Sequence, residues 1–201
     1  MTRRWDAEMD NLFPVRPKDP TLKIVARGTG LEIRKQLRDT ESKSRAIVDI
    51  LSESGRLGKG LLALFAPRPG EVNVLPLFEK FPAAFPKVFP GNTLGFFRVT
   101  NLATLQKGKF GIREPATDPD TKVTAWGPGD VVLVPGLLFD SHGGRIGSGL
   151  GYYDRFLANN QAFKIGVCFS EQLSPSVLPQ DATDVPMDAV LTETGWALGP
   201  V

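Results

Sequence analysis

Five glycines, at 143, 144, 147, 149 and 151, fall within nine residues and run directly into Tyr152-Tyr153-Asp154-Arg155-Phe156-Leu157, which reads as the start of a helix. Glycine has no Cβ, so a loop rich in it can bring backbone N–H groups close to a ligand. A helix N-terminus behind the loop adds a partial positive charge. The residue types therefore fit an anion cradle, with phosphate as the usual anion. They fit plain turns as well, the commonest use of such glycines. Neither familiar phosphate motif is present. A P-loop needs G-x-x-x-x-G-K-[ST], which does not occur. A dinucleotide fingerprint built on Gly147 and Gly149 would need its third glycine at Tyr152, and the preceding strand stops well short of Gly147. Glu171 stands about 20 residues further on, where that fingerprint would place an acid, and is taken as coincidence.

The elements that must position this loop are legible around it. Val131-Val132-Leu133-Val134 is an apolar, β-branched run of the kind found in buried strands, and Pro135-Gly136 ends it. Leu137-Leu138-Phe139 then leads to Asp140. Further buried strands are expected over residues 61–65, 94–99, 163–169 and 189–192, and a helix over 152–160. Residues 31–54 carry one helical pattern, with Ile33, Leu37, Ser44, Ile47 and Leu51 near one face, Thr29 and Glu32 as a capping box and Gly55 as the stop. Pro82, Pro86 and Pro90 forbid a long helix over 79–91, and residues 116–129 read as a polar loop. Pro14, Pro17, Pro20, Gly28 and Gly30 break any period in residues 1–30, which are expected to form an extended arm, with residues 31–201 as one domain. Strands separated by helical segments predict an α/β fold.

The chain has 201 residues, 41% hydrophobic and 23% charged, enough for a globular core. Its 24 basic and 22 acidic residues leave +2, too little to argue for nucleic acid. Residues 1–60 hold 13 basic and 9 acidic side chains, a local excess that could meet an anionic ligand or simply face solvent. Cys168 is the single cysteine, so no internal disulfide forms, and its apolar surroundings mark it as a small buried hydrophobe. His142 is the single histidine, so no His/Cys cluster offers a zinc site. No apolar run approaches the ~20 residues of a membrane span, and the N-terminus has no signal-peptide core, so a cytoplasmic location is expected.

The loop also carries a longer pattern: Pro135-Gly136, Phe139-Asp140, Gly143, Arg145, Gly147, Gly149, Gly151, Tyr152, Tyr153 and Asp154. In this it resembles the signature of the 5-formyltetrahydrofolate cyclo-ligase family, the 5,10-methenyltetrahydrofolate synthetases. Phe110-Gly111-Ile112-Arg113-Glu114-Pro115, Glu171-Gln172 and Asp184-Val185-Pro186-Met187-Asp188 resemble three further landmarks, and the resemblance covers roughly residues 31–193.

The resemblance implies a three-layer α/β/α, Rossmann-like fold with a mostly parallel central sheet. It implies ATP-dependent closure of 5-formyltetrahydrofolate to 5,10-methenyltetrahydrofolate, with release of ADP and phosphate. The alternative is a non-catalytic relative that binds folate or nucleotide and regulates one-carbon metabolism. Arg145 and Tyr152 take the catalytic roles. ATP falls to Arg145, Ile146, Gly147, Ser148, Gly149, Leu150, Gly151, Tyr152 and Tyr153, joined by Arg34 and Arg38 from a basic helical segment. Lys23 and Arg27 have the same spacing and compete with that pair. Reduced folate falls to Glu71 and to residues 148–152, and Mg²⁺ to Asp154 and Asp188. Glu114 is left between a structural and a supporting role. Ser148 stands where the family usually has a basic residue, and Leu150 where it has Gly or Lys. A monomer acting on small molecules, with no nucleic acid and no membrane, completes the expectation.

Overall fold

The computed structural model describes residues 16–17 and 19–199. The extended arm expected for residues 1–30 therefore lies outside the described residues over 1–15 and 18. Over residues 20–30 it is corrected: α1 (Pro20–Gln36) is a helix. Its start is set by Asp19, whose carboxylate accepts the Thr21 N–H at 2.8 Å, and by Pro20, pre-shaped for a first turn. Gly30, read as a breaker, is a contact instead. A Cβ there would stand 2.9 Å from the Cβ of Leu137, so glycine is what lets α1 lie on the strand edge. Thr29 and Glu32 sit inside this helix and cap nothing.

The single helix expected over residues 31–54 is two. Leu37 turns extended and Asp39 enters the left-handed region at φ 55°, after which α2 (Thr40–Glu53) begins. The break lets Leu37 fold in under α2, where it joins the same apolar cluster as Ile47, Val48 and Leu51. Gly55, at φ 65°, follows the end of α2 as the sequence predicts.

An eight-stranded sheet forms the middle layer. Its five central strands are parallel, in the order β12 (Ala189–Thr192), β10 (Phe163–Val167), β7 (Val131–Val134), β1 (Leu62–Ala63) and β2 (Ala83–Phe89). Antiparallel strands flank them, β13 (Gly195–Leu198) on one side and β3 (Thr93–Val99) with β6 (Lys122–Val123) on the other. β2, β6 and β13 are additions to the expected strands. Pro86 sits within β2, beyond the two residues that pair with β1, so its missing N–H costs that ladder nothing.

The central strands are buried on both faces, as parallel strands are. On β7, Val131 and Leu133 join the cluster under α2, while Val132 and Val134 face a second cluster holding Phe96, Trp126, Phe139 and Leu157. Leu157 belongs to α3 (Tyr152–Leu157), so helices cover both faces and the three-layer expectation holds. A smaller sheet of β11 (Leu173–Ser174), β8 (Leu138–Asp140) and β9 (Arg145–Ile146) carries α1, and a two-stranded ribbon joins β4 (Gln106–Lys107) to β5 (Arg113–Glu114). No helix among the described residues is long and apolar enough to cross a membrane.

The small sheet is tied to the glycine loop through Asp140, whose side chain is 1% exposed. It accepts the N–H groups of His142, Gly144 and Leu178, each at 2.8 Å, and pairs with the Arg16 guanidinium at 2.8 Å. Burial alone would raise its pKa. Arg16 and the three N–H groups outweigh that and hold it below the usual carboxylate range. A depressed folded pKa contributes stability above the unfolded value, and this is lost as pH falls through the folded value. Asp140→Ala should therefore lower unfolding free energy by roughly 3–5 kcal/mol in urea titrations at neutral pH. The wild type should lose stability below about pH 4 more steeply than Asp140→Asn does.

Candidate active site

The chain runs from β1 to β2 on one side and returns to β7 on the other, so the order of the sheet reverses between β1 and β7. Ligands of open α/β sheets bind beyond the carboxyl ends of strands at such a point. A cavity of ≈ 1240 Å³ lies there, lined by Phe65 and Ala66 after β1 and by Pro135 and Gly136 after β7. Small-molecule pockets commonly run to about 1,000 Å³, so this one has room for two ligands.

Four parts of the chain supply its charge. Lys23, Arg27 and Arg34 line it from α1, Arg68 and Glu71 from the loop after β1, Arg145 and Asp154 from β9 and α3 on either side of the glycine loop, and Asp181 and Asp184 from the segment before β12. Arg145 is 8% exposed, donating to Asp154 at 2.8 Å and to the Pro135 carbonyl at 3.4 Å, with its guanidinium 5.8 Å from the centre of the Tyr153 ring. Enclosure raises the Tyr153 phenol, and the negative charge of Glu71 adds to this, so Tyr153 stays neutral at physiological pH. Lys23 is clamped between Asp181 and Asp184, 2.6 Å from the first. Burial opposes its charge, and the two carboxylates raise its pKa nonetheless.

Arg34 donates to the Gly136 carbonyl at 3.0 Å and reaches Glu71 at 3.4 Å. The Nε atoms of Arg27, Arg34 and Arg145 are each buried without an acceptor among the described residues. Gathered around one cavity, the three guanidinium groups give its wall a positive character that suits an anion.

The glycine loop divides into two parts. Gly143 and Gly144 face the protein: a Cβ at 143 would meet the Met187 carbonyl at 2.5 Å, and one at 144 would meet Asp140 at 2.2 Å. Residues 147–151 line the cavity. Gly149, at φ 95°, lies under Arg27, whose Nε would be 3.1 Å from a Cβ there. α3 has only six residues, so the expected helix-terminus charge is small and the arginines carry most of the positive character.

Most of the expected site residues line this one cavity: Arg34, Glu71, Arg145, Ile146, Gly147, Ser148, Gly149, Leu150, Gly151, Tyr152, Tyr153 and Asp154. Two do not. Arg38 follows the end of α1, is exposed, and donates to the carbonyl of its neighbour Leu37. The competing pair, Lys23 and Arg27, occupies the wall instead. The signal that separates the pairs is the start of α1 at Pro20, which puts Lys23 and Arg27 one turn apart inside the helix. Asp188 accepts the backbone N–H of Lys164 at 2.8 Å and pairs with its ammonium at 2.8 Å, at the amino-terminal end of β10. The structure thus does not bring Asp154 and Asp188 together in the cavity. Cys168 is buried at 1% exposure, and desolvation raises its thiol out of the reactive range.

Residues weighed lightly or missed also line the cavity. Arg68 and Arg155 are there, as are Phe110, Ile112 and Glu114 of the hairpin around residues 106–114. Phe110 is 55% exposed, at φ 61°, and stands edge-on to Tyr152 at 6.5 Å.

A sequence profile of the 5-formyltetrahydrofolate cyclo-ligase family matches residues 70–193. The chain belongs to this family. A probable 5-formyltetrahydrofolate cyclo-ligase of Caenorhabditis elegans is 30% identical over 77% of this chain and 84% of its own length. The 5-formyltetrahydrofolate cyclo-ligase of Mus musculus is 28% identical over 86% of this chain and 96% of its own. A probable member from Schizosaccharomyces pombe is matched over 59% of its length. Among solved structures, the 5,10-methenyltetrahydrofolate synthetase of Aquifex aeolicus superposes with a TM-score of 0.72 at 34% identity, covering 87% of this chain and 91% of that one.

The Gly136–Leu137 wall of the cavity is held by a buried clip. Gln172, 1% exposed, accepts the Phe169 N–H at 3.2 Å and donates to the carbonyls of Leu137 at 3.0 Å and Gly136 at 3.3 Å. Gln172→Leu keeps the volume but strands these groups, and should cost roughly 3 kcal/mol in a denaturant titration.

Proposed function

We propose that this cavity is where the chain closes 5-formyltetrahydrofolate to 5,10-methenyltetrahydrofolate at the expense of ATP, the reaction of its family. The observation that carries the assignment is the gathering of Arg27, Arg34 and Arg145 with the glycine loop around one large cavity. Their guanidinium groups suit a polyphosphate. The folate occupies the end walled by Phe110, Ile112, Leu94 and Tyr152, where apolar side chains suit a flat heterocycle.

In the family reaction the formyl oxygen attacks the γ-phosphate and expels ADP, N10 closes on the activated carbon with loss of its proton, and phosphate leaves. Phosphoryl transfer asks the protein for alignment and charge neutralisation. Arg27 and residues 147–151 hold the phosphates from two sides. Arg145, fixed by Asp154 and Pro135, neutralises charge as it shifts between oxygens. Tyr152, edge-on to Phe110, flanks the folate.

Magnesium fits this donor set in one mode. No group of three or more His, Cys, Asp or Glu side chains able to hold a metal occurs among the described residues. Mg²⁺ needs only one or two carboxylates when phosphates and waters complete its shell. Of the two aspartates the motif offers, Asp154 is the one on the wall; it would hold the ion, which would supply neutralising charge to the phosphates. We place the protein in the cytoplasm as a monomer.

The assay is the appearance of the methenyl chromophore with Mg-ATP and 5-formyltetrahydrofolate. Binding of both ligands without product would instead favour a regulatory relative. Arg27→Ala should reduce kcat/KM roughly 100-fold, the scale of one lost transition-state donor, while Arg38→Ala leaves it unchanged. Arg27 already sits over Gly149, so Ser148→Arg should gain little. A large gain would mean that the absent loop cation limits turnover. Asp154→Asn should raise the magnesium requirement in activity titrations, and Asp188→Asn should lower Tm without changing it.

A further inference from the structure

Two buried carboxylates line the cavity, and their surroundings differ. Glu71, 5% exposed at the side chain, is saturated: its Oε2 accepts the Arg68 N–H at 2.9 Å, and its Oε1 accepts Arg68 Nε at 2.9 Å, Arg68 Nη2 at 2.7 Å and Arg34 Nη1 at 3.4 Å. Glu114, also 5% exposed, receives no hydrogen bond from any described residue, and its Oε1 is fully enclosed. A carboxylate out of water with no donor is costly, and native proteins keep such a group where a ligand completes it.

The chain holds Glu114 in this position from both sides. β5 pairs with β4, placing Glu114 opposite Gln106, and Lys87 of β2 donates to the carbonyl of Pro115 at 2.9 Å. Gly108 makes the room: a Cβ there would stand 2.4 Å from the Glu114 carboxyl carbon. The neighbouring wall is apolar, formed by Pro86, Val88, Leu94, Phe110 and Ile112. A ligand that satisfies this end is flat and apolar on its faces, with N–H donors on one edge. A 2-amino-4-oxopyrimidine has that form, because its ring N–H and 2-amino group point the same way and can both approach Oε2, the carboxylate oxygen that is not enclosed.

We propose that Glu114 is the specificity-determining acceptor for the aminopyrimidine edge of the reduced folate. This rests on the reading of the cavity as the folate site. It moves the recognition carboxylate from Glu71, already occupied by two arginines, to Glu114.

The test measures binding of 5-formyltetrahydrofolate, and of its analogue with hydrogen in place of the 2-amino group, to the full chain by calorimetry. Glu114→Gln should weaken the natural folate by about 10- to 100-fold, the scale of a hydrogen bond to a charged group, and leave ATP affinity within about twofold. The analogue should bind the wild type less tightly by a similar factor, and Glu114→Gln should add little to that loss. Factors that multiply would overturn the proposal, as would a natural folate that binds Glu114→Gln at full strength. Should that variant fail to fold, the wild type decides alone, since undiminished affinity for the analogue would equally overturn it. Tyr152→Ala separates the two readings. If it is impaired and Glu114→Gln is not, only the Glu114 assignment falls; if both bind folate normally, the cavity reading falls as well.

Discussion

One buried carboxylate decides whether there is a site at all. Asp140 ends β8, and its oxygens gather N–H groups from the glycine loop and from Leu178, together with the Arg16 guanidinium. These partners come from three distant parts of the chain. Each donor alone is weak against the desolvation of a charge, but together they overcome it. Because the carboxylate fixes Gly144, the next residue, Arg145, leaves the turn in one direction only, and the loop that follows is aimed over the ends of β1 and β7. The cavity is thus a consequence of electrostatics in the small sheet as much as of the large sheet's topology.

The charge of the cavity is arranged in pairs with gaps. Lys23 is matched by two aspartates, Glu71 by two arginines, and Arg145 by Asp154. Such matching holds long side chains in place before any ligand arrives, so little ordering is left for binding to offset. The groups left unmatched, three guanidinium N–H donors and the Glu114 carboxylate, leave both signs of charge in the wall.

Much of this was legible in the sequence, for physical reasons. The strands of the parallel core are continuous apolar runs because both faces are covered, so Val131–Val134 announces itself. The glycine loop keeps fixed spacing because Gly149 and Gly151 adopt positive φ and Gly143 and Gly144 leave no space for a Cβ. The helical arm was hidden because Gly28 and Gly30 lower helix propensity, and Gly30 is there for a contact with Leu137 that only the tertiary structure reveals. Arg27 was legible only as half of a competing pair for the same reason, since its place on the wall depends on that helix. Asp188 illustrates the converse: its spacing within a motif carries no information about Lys164, which claims its carboxylate from another strand.

The two margins of the large sheet bear on how the protein behaves in company. An open row of N–H and C=O groups invites another chain to add a strand. Here β6 is a two-residue strand carrying Lys122, and β13 is four residues long with a register shift against β12 between Val190 and Leu191. Neither offers a straight, apolar template. The adhesive parallel strands are kept to the interior, and the molecule can be concentrated with little risk of growing into fibres through its sheet.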